Sequence, residues 1–231
     1  MNLVSWNIAC LPWYINTISD PEKRIYTIID KILEINPDMI SLQEVFTYDI
    51  SLILEIELKK YGYYIINYTK LSIHENCGLF FASKIRIKKS KLIIYNDSCG
   101  EDWFVSKGFI KIMLENDIKI YITHTQADAI FSSENKSRVI RNFQLKHLFD
   151  DIFLGEKTII IGDLNIKNDT VEFNNLKNVL NTKGQFILNE SGNLDFIILL
   201  NINLINIKYI QYVFNSLSDH PILECQTKYK I

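Results

Sequence analysis

Cysteine is scarce and poorly spaced for any clustered role. Cys10, Cys77, Cys99 and Cys225 share no CxxC pair, so neither a thiolate zinc site nor a disulfide framework is indicated. Long apolar runs are missing too: the longest, Phe196 to Leu200, falls far short of the roughly 20 residues that a membrane-spanning helix needs. A strand is expected almost from the first residue, which leaves no basic and apolar leader to read as a signal peptide. These absences give the expectation of a reduced, cytoplasmic protein without a transmembrane segment, peripheral at any membrane it touches. Nor is there an excess of charge of either sign, since 25 Lys+Arg stand against 27 Asp+Glu. Bulk charge therefore announces no polyanion partner, although a local patch can still serve one. No linker, low-complexity tract or internal repeat interrupts the chain.

What is present is the composition of an ordinary globular protein, 48% hydrophobic and 23% charged over 231 residues. That length suits one α/β domain spanning 1–231, with room for a sizeable core. Leu3 to Ile8 reads as a strand. Asp20-Pro21-Glu22 reads as a helix start: an N-cap carboxylate, proline at the first helical position and an acid in the first turn. Ile25, Ile28, Ile29, Ile32 and Ile35 then recur on one helical face, and Asn36-Pro37 ends it. Asp38 to Leu42 reads as a buried strand that delivers Gln43-Glu44, and Ser51 to Lys60 as a short helix. From Gly62 onward the texture is of short strands. Ile110 to Leu114 and Ile118 to Ile122 form a hairpin around Glu115-Asn116-Asp117. A helix is expected from about Ser132 to Asp151, with Val139, Ile140, Phe143 and Leu148 among its apolar positions. Strands follow at Thr158 to Ile161, Leu194 to Leu199 and roughly Ile222 to Cys225. Such an order argues for packed sheets with helices outside.

Polar residues able to do chemistry concentrate where these strands end. They occur in Trp6-Asn7, Leu42-Gln43-Glu44-Val45, Thr123-His124-Thr125-Gln126, Gly162-Asp163-Leu164-Asn165, Leu194-Asp195-Phe196 and Ser218-Asp219-His220. Side chains at strand ends can converge at a sheet edge on a rigid scaffold. Carboxylates and amide oxygens are hard ligands suited to Mg²⁺, or to Mn²⁺ in its place. Each string alone has a plain structural explanation as a turn or cap. Asp195 is the exception, because an unpaired carboxylate inside an apolar strand is costly.

Taken in order, the six strings resemble the endonuclease/exonuclease/phosphatase superfamily over nearly the whole chain. The resemblance implies a four-layer α/β sandwich of two packed sheets flanked by helices, and Mg²⁺-dependent cleavage of phosphate esters. A narrower likeness, to the neutral sphingomyelinases, lies in Gly100 to Phe109 with its Asp102-Trp103-Phe104 and Ser106-Lys107-Gly108, followed by Thr123-His124-Thr125-Gln126-Ala127. Cys77-Gly78-Leu79 through Ser83-Lys84, and Arg138 through Lys146, are similar as well. The resemblance implies a phosphodiesterase of sphingomyelinase (phospholipase C) type that releases phosphocholine from a phospholipid. A nuclease acting on nucleic acid with the same metal site is the alternative. Binding modules of the superfamily that have lost catalysis usually lack the equivalents of Glu44, Asp163 or His220, and all three are present.

The implied roles follow residue by residue. Glu44 holds the metal, Asp219 helps bind or orient it, and Asn7 orients Glu44, joins the metal or touches the phosphate. His220 is the general base with Asp195 as its partner. Asp163 and Asn165 act on the nucleophile and phosphoryl oxygens. His124 and Lys107 stabilise developing negative charge, with Asp102 holding Lys107 in reserve at the substrate side. The stretches 166–193 and 207–218 are short for a sphingomyelinase. Nothing matches the long apolar hairpin of secreted bacterial members or the anchors of animal ones.

Two surface features complete the reading. Lys84, Arg86, Lys88, Lys89 and Lys91 alternate partly with Ile85 and Ile87, as on the solvated face of an edge strand whose lysines block edge pairing; a patch for anionic lipid or nucleic acid is the sharper alternative. Trp13-Tyr14 and Trp103-Phe104 read first as core packing, and second as an acyl-chain entrance or a membrane contact beside the site.

Overall fold

A computed structural model describes residues 1–11, 20–71, 76–128, 133–189, 194–202 and 204–229. In chain order the elements are β1 (Asn2–Cys10), α1 (Pro21–Ile35), β2 (Met39–Val45), α2 (Tyr48–Lys60), β3 (Tyr64–Asn67), β4 (Phe80–Ser83) and β5 (Ile87–Ile94). A short 3-10 helix, Gly100–Phe104, precedes β6 (Gly108–Leu114), β7 (Lys119–His124), α3 (Glu134–Asp150), β8 (Thr158–Asp163) and α4 (Val171–Lys183). The chain closes with β9 (Phe186–Leu188), β10 (Asp195–Leu200), β11 (Leu204–Tyr212) and β12 (Ile222–Tyr229).

The strands form two six-stranded sheets, in the orders β11-β12-β1-β2-β4-β3 and β5-β6-β7-β8-β10-β9. Side-chain alternation sorts the core into three layers. Val4, Trp6 and Ile8 of β1 pack with Ile25, Ile28 and Ile32 of α1 and Leu54 and Leu58 of α2. Leu3 and Met39 of the first sheet meet Ile120, Ile122, Ile159, Ile161, Ile197 and Leu199 of the second. On the far side Tyr121, Ile160 and Ile198 pack with Leu145 and Leu148 of α3 and Leu176 and Leu180 of α4. The result is helix, sheet, sheet, helix, which is the four-layer sandwich expected.

Helix α1 forms for the local reasons given above. Asp20 accepts the Glu22 N–H, Pro21 opens the helix, and Asn36 ends it in a left-handed conformation. Helix α3 corrects one expectation. Val139 and Phe143 are 52% and 58% exposed, while Ser137, Arg141 and Gln144 are buried. Part of the inner face is polar because it clamps the loop after β7, while Ile140, Leu145, Leu148 and Phe149 supply its apolar part. Gln144 accepts the Gln126 N–H at 2.7 Å, and Arg141 donates to the Gln126 carbonyl at 2.8 Å and to both Glu172 carboxylate oxygens at 2.9 Å.

Strand β5 lies at a sheet edge, as its charges suggested. Lys84 bonds Asn36, Arg86 pairs with Glu115 and Lys88 with Asp117, so this face is a solvated, internally paired edge. Core packing fails for Trp103 and Phe104, which are exposed. Trp13 and Tyr14 lie outside the described residues.

Two parallel pairs determine where function can sit. β1 runs parallel to β2, and β7 to β8, each pair joined through a helix. Their C-terminal ends meet at one end of the inter-sheet layer, the usual place for a site in such sheets. Gly162 sits opposite Thr123 there, and a Cβ at Gly162 would come within 1.8 Å of the Thr123 carbonyl oxygen. Only glycine lets β8 approach closely enough to set Asp163 beside His124.

Candidate active site

Strict alternation carries three of the residues in from the second sheet. His124, Asp163 and Asp195 share strand parity with Ile122, Ile161 and Ile197, so all three point between the sheets, where Asp163 is registered with both His124 and Asp195. Asn7 enters from the first sheet with the parity of Leu3, and its Nδ2 donates to Glu44 Oε1 at 2.9 Å and to Asp163 Oδ2 at 3.1 Å. One amide thus ties two carboxylates from different sheets. Its oxygen accepts the Ala9 N–H at 3.1 Å. Asn7 therefore orients Glu44, one of the roles expected of it, and holds Asp163 as well.

Glu44 would face the helices if β2 kept its alternation. Instead it has a left-handed φ of 60°, and Ala9 and Asn165, also beside the site, have φ of 46° and 52°. Such conformations cost of order 1–3 kcal/mol each in non-glycine residues and persist where the surroundings enforce them. Asn165 is fixed by its N–H to Asp163 Oδ1 at 2.8 Å and by its Nδ2 to the Thr125 carbonyl at 3.0 Å. Asp219 is exposed at the rim, near enough to Glu44 and His220 to act on both electrostatically.

His220 is held on three sides. Its Nδ1 meets Asp195 Oδ2 at 2.8 Å, its N–H donates to Ser218 Oγ at 3.1 Å, and its carbonyl accepts the Trp6 indole N–H at 2.9 Å. Ser218 Oγ in turn donates to the Asn7 carbonyl at 2.6 Å. Nε2 is left facing the cluster, 3.7 Å from Asp163 Oδ2. Burial works against an imidazolium here, but the hydrogen bond and charge of Asp195, with the charges of Asp163 and Asp219, prevail and push His220 up to about 10.

The opposite wall is basic. Lys107 Nζ is buried and spends its protons on Asp102 Oδ2 at 2.8 Å, the Thr125 carbonyl at 2.8 Å and His124 Nε2 at 3.1 Å. Burial, then the charges of Lys107 and His220, hold His124 well below the usual histidine range, so it is neutral. A neutral ring that accepts from Lys107 at Nε2 carries its proton on Nδ1, which is buried without a hydrogen-bond partner. Asp102 Oδ2 also accepts the Ala127 N–H at 2.8 Å, which fastens the ion pair to the loop after β7.

The carboxylates carry unmet negative charge. Burial raises Glu44 above its ordinary range, with Asn7, Lys107 and His220 pulling the other way. Burial and the neighbouring charge of Asp195 push Asp163 up to about 7. Asp195 is fully buried and its Oδ1 has no partner. Oxygen donors from Asp163 and Asp195 and a ring nitrogen of His220 all lie within 4.8 Å of one another. His220 and Asp195 are engaged with each other and Asp163 accepts from Asn7 and Asn165, so Glu44 and Asp219 are the less committed oxygen donors, with Asp163 beside them. A hard divalent cation fits that donor set and would relieve its charge.

The Asp163 shift has a consequence for stability without metal. The folded protein holds this proton up to about pH 7, whereas the ordinary value is 3.8. Its contribution is thus fully present at low pH and is lost as pH rises through about 7. Asp163→Asn removes that loss. In chelator it should be more stable than wild type by on the order of 2 kcal/mol at pH 8, with the gain vanishing near pH 4. Urea melts at the two pH values check this; an equal gain at both would show that Asp163 is not the titrating group.

Arg24 carries no signal in the sequence, while Gln126, Arg141 and Ser218 stand in segments singled out above without a role of their own. Arg24 of α1 donates to the carbonyls of Ile8, Ala9 and Leu217, joining the end of β1 to the loop that bears His220. Arg141 and Gln126 act similarly on the His124 side, where Gln126 brackets Cys99 by its N–H at 2.9 Å and its carbonyl at 3.1 Å. Ser218 stands in one of the strand-end strings, and its hydroxyl chemistry was the available clue.

Comparisons with known proteins place this geometry. The profile of the Endonuclease/Exonuclease/phosphatase family matches residues 4–220. Sphingomyelinase C 2 of Leptospira interrogans is 32% identical over 118 residues, which cover 46% of this chain and 18% of that protein. Phospholipase C of Staphylococcus aureus is 30% identical over 118 residues, covering 48% and 36%. The matched segment therefore spans well under half of either relative. Among solved structures, a beta toxin variant from Staphylococcus aureus with bound magnesium ions superposes with a TM-score of 0.79 at 22% identity, covering 98% of this chain and 99% of that one. Sphingomyelinase C from Streptomyces griseocarneus gives 0.76 at 17% identity, covering 97% and 98%. D. rerio TDP2 complexed with single strand DNA product gives 0.73 at 13% identity, covering 99% of each chain. At these identities the superpositions show a shared fold.

Proposed function

Because the chain belongs to the Endonuclease/Exonuclease/phosphatase family, we propose that it is a Mg²⁺-dependent phosphodiesterase of sphingomyelinase type, which hydrolyses a choline phospholipid to phosphocholine. The observation that carries the family-level chemistry is the His220–Asp195 pair at 2.8 Å, facing a carboxylate cluster bridged by Asn7. Support for a choline lipid in particular comes from the buried Asp102–Lys107–His124 chain and from the two relatives of about 30% identity, named a sphingomyelinase and a phospholipase C.

Glu44 would hold the metal, with Asp219 and Asp163 alongside. When bound, Mg²⁺ supplies Lewis-acid polarisation of a phosphoryl oxygen and offsets charge on the leaving alkoxide. The protein does the rest. His220 takes a proton at Nε2 from the water that attacks phosphorus, and Asp195 stabilises the imidazolium through Nδ1. The bond from phosphorus to the lipid oxygen breaks, and the departing alkoxide takes a proton from solvent. His220 acts as base only when neutral, which requires that the charge now holding it at about 10 be offset. Lys107, held between Asp102 and His124, sets its positive charge on the side of the phosphoryl oxygens, where developing negative charge is stabilised.

A substrate panel at fixed Mg²⁺ tests the proposal: sphingomyelin, lysophosphatidylcholine, a phosphoinositide, single-stranded DNA and RNA. Phosphocholine should be released from a choline lipid, and Lys107→Ala should lose most of that rate while still binding Mg²⁺. Efficient oligonucleotide cleavage with no headgroup release would favour the nuclease reading.

A further inference from the structure

Beside Asp102, the 3-10 helix Gly100–Phe104 carries two large apolar side chains outward. Trp103 is 68% exposed and Phe104 55%, and their rings meet edge to face with centroids 5.5 Å apart. Single exposed apolar residues need no explanation, but an adjacent stacked pair on a projecting turn does. The turn is also rigidly founded. Gln126 grips Cys99 just before it, Asp102 is fixed to Lys107 and the Ala127 N–H, and the Ser106 N–H donates to the Asn76 carbonyl just after it. Asn76 is itself held, donating to the Lys70 carbonyl at 2.9 Å.

The size and character of this patch select its occupant. Two aromatic side chains offer at most about 150–250 Å² each. A stable protein interface takes about 800 Å² per partner, so the patch is too small to hold a second copy or a protein partner by itself. A bilayer needs no matched surface, and tryptophan favours the headgroup level, with an apolar body and a polar N–H. Asp102 and Lys107 neutralise each other, and the turn Gly100–Phe104 carries no basic side chain. No cation on it recruits an anionic membrane, whereas choline's quaternary ammonium can sit on an indole face.

We infer that Trp103 and Phe104 form a wedge that enters the headgroup layer of zwitterionic choline-lipid bilayers and seats the rim of the candidate site against them. The inference rests on the proposed function for why the bilayer matters, but its binding step is independent of turnover. No helix among the described residues is long and apolar enough to cross a membrane.

The test is co-sedimentation of the full chain with phosphatidylcholine–sphingomyelin vesicles, in chelator so that no lipid is consumed. Trp103→Ala/Phe104→Ala should weaken partitioning about tenfold or more, with its melting temperature unchanged because both rings are solvent-facing. Trp103→Phe should retain most of the partitioning. Dibrominated phosphatidylcholine should quench the emission that distinguishes wild type from Trp103→Phe. Equal partitioning of wild type and the double variant, absence of wild-type binding, or self-association lost by the variant would each overturn the wedge. Vesicle binding that persists with no headgroup release would instead count against the proposed function alone.

Discussion

His220→Ala is expected to cut turnover by about 10²–10⁴-fold, the usual cost of an essential general base, and to destabilise the fold as well. Asp195 is fully buried, its Oδ2 is committed to His220, and its Oδ1 has no partner. Removing the imidazole strands that carboxylate, which typically costs about 3–5 kcal/mol. Asp195→Asn should lose activity in the same direction, because the amide can no longer stabilise an imidazolium, yet it leaves no buried charge behind. The double variant separates the two effects. It should recover most of the stability lost by His220→Ala, while its activity falls little below that of the worse single variant, since residues acting as a unit are non-additive. Additive activity losses would show that the pair is not a catalytic dyad; melting curves and single-turnover rates are the readouts.

Glu44→Ala should abolish both Mg²⁺-dependent turnover and Mg²⁺-dependent stabilisation. A ligand that binds only the folded state adds about 2.7 kcal/mol at 100 times its Kd, so wild type should show a clear Mg²⁺-induced rise in melting temperature. The variant should show almost none. In chelator it should be no less stable than wild type at pH 8, because burial raises the Glu44 carboxyl. With the folded pKa raised, stability is lost as pH rises through it, so removing the group helps on the alkaline side. A variant that keeps its Mg²⁺-induced stabilisation would place the ion elsewhere in the cluster.

The parts of this fold that were readable from sequence were those decided locally. Asp20, Pro21 and the isoleucines of α1 each act within a turn or two, and they mark the helix as found. The hairpin at Glu115 to Asp117 follows from the alternation of Ile118, Ile120 and Ile122, and the strands leading to Asn7, Asp163 and Asp195 from short apolar runs. Helix α4 carries comparable signals, a Thr170 cap with Phe173, Leu176 and Leu180 on one face. The face of α3 was not readable, because Arg141 and Gln144 turn inward only to meet partners in Glu172 and the Gln126 loop. The backbone at Glu44 was equally hidden. Nothing in Leu42-Gln43-Glu44-Val45 announces the left-handed turn that breaks alternation, and the Asn7 amide shows its two carboxylate partners only once the sheets are packed. For the site, then, residue types at strand ends were legible, whereas hydrogen-bond direction was not. The Asn7–Glu44 contact was expected, but the second bond from the same amide, to Asp163 of the other sheet, was not.

Isotope incorporation tests the proposed chemistry most directly. Sphingomyelin is hydrolysed in ¹⁸O-enriched water with Mg²⁺, and the products are separated and weighed by mass spectrometry. Attack by water on phosphorus, with His220 as base, puts one ¹⁸O into phosphocholine and none into the lipid alcohol, and chelator suppresses the reaction. Label in the lipid product, release of free choline, or phosphocholine formed at full rate in chelator would contradict the mechanism.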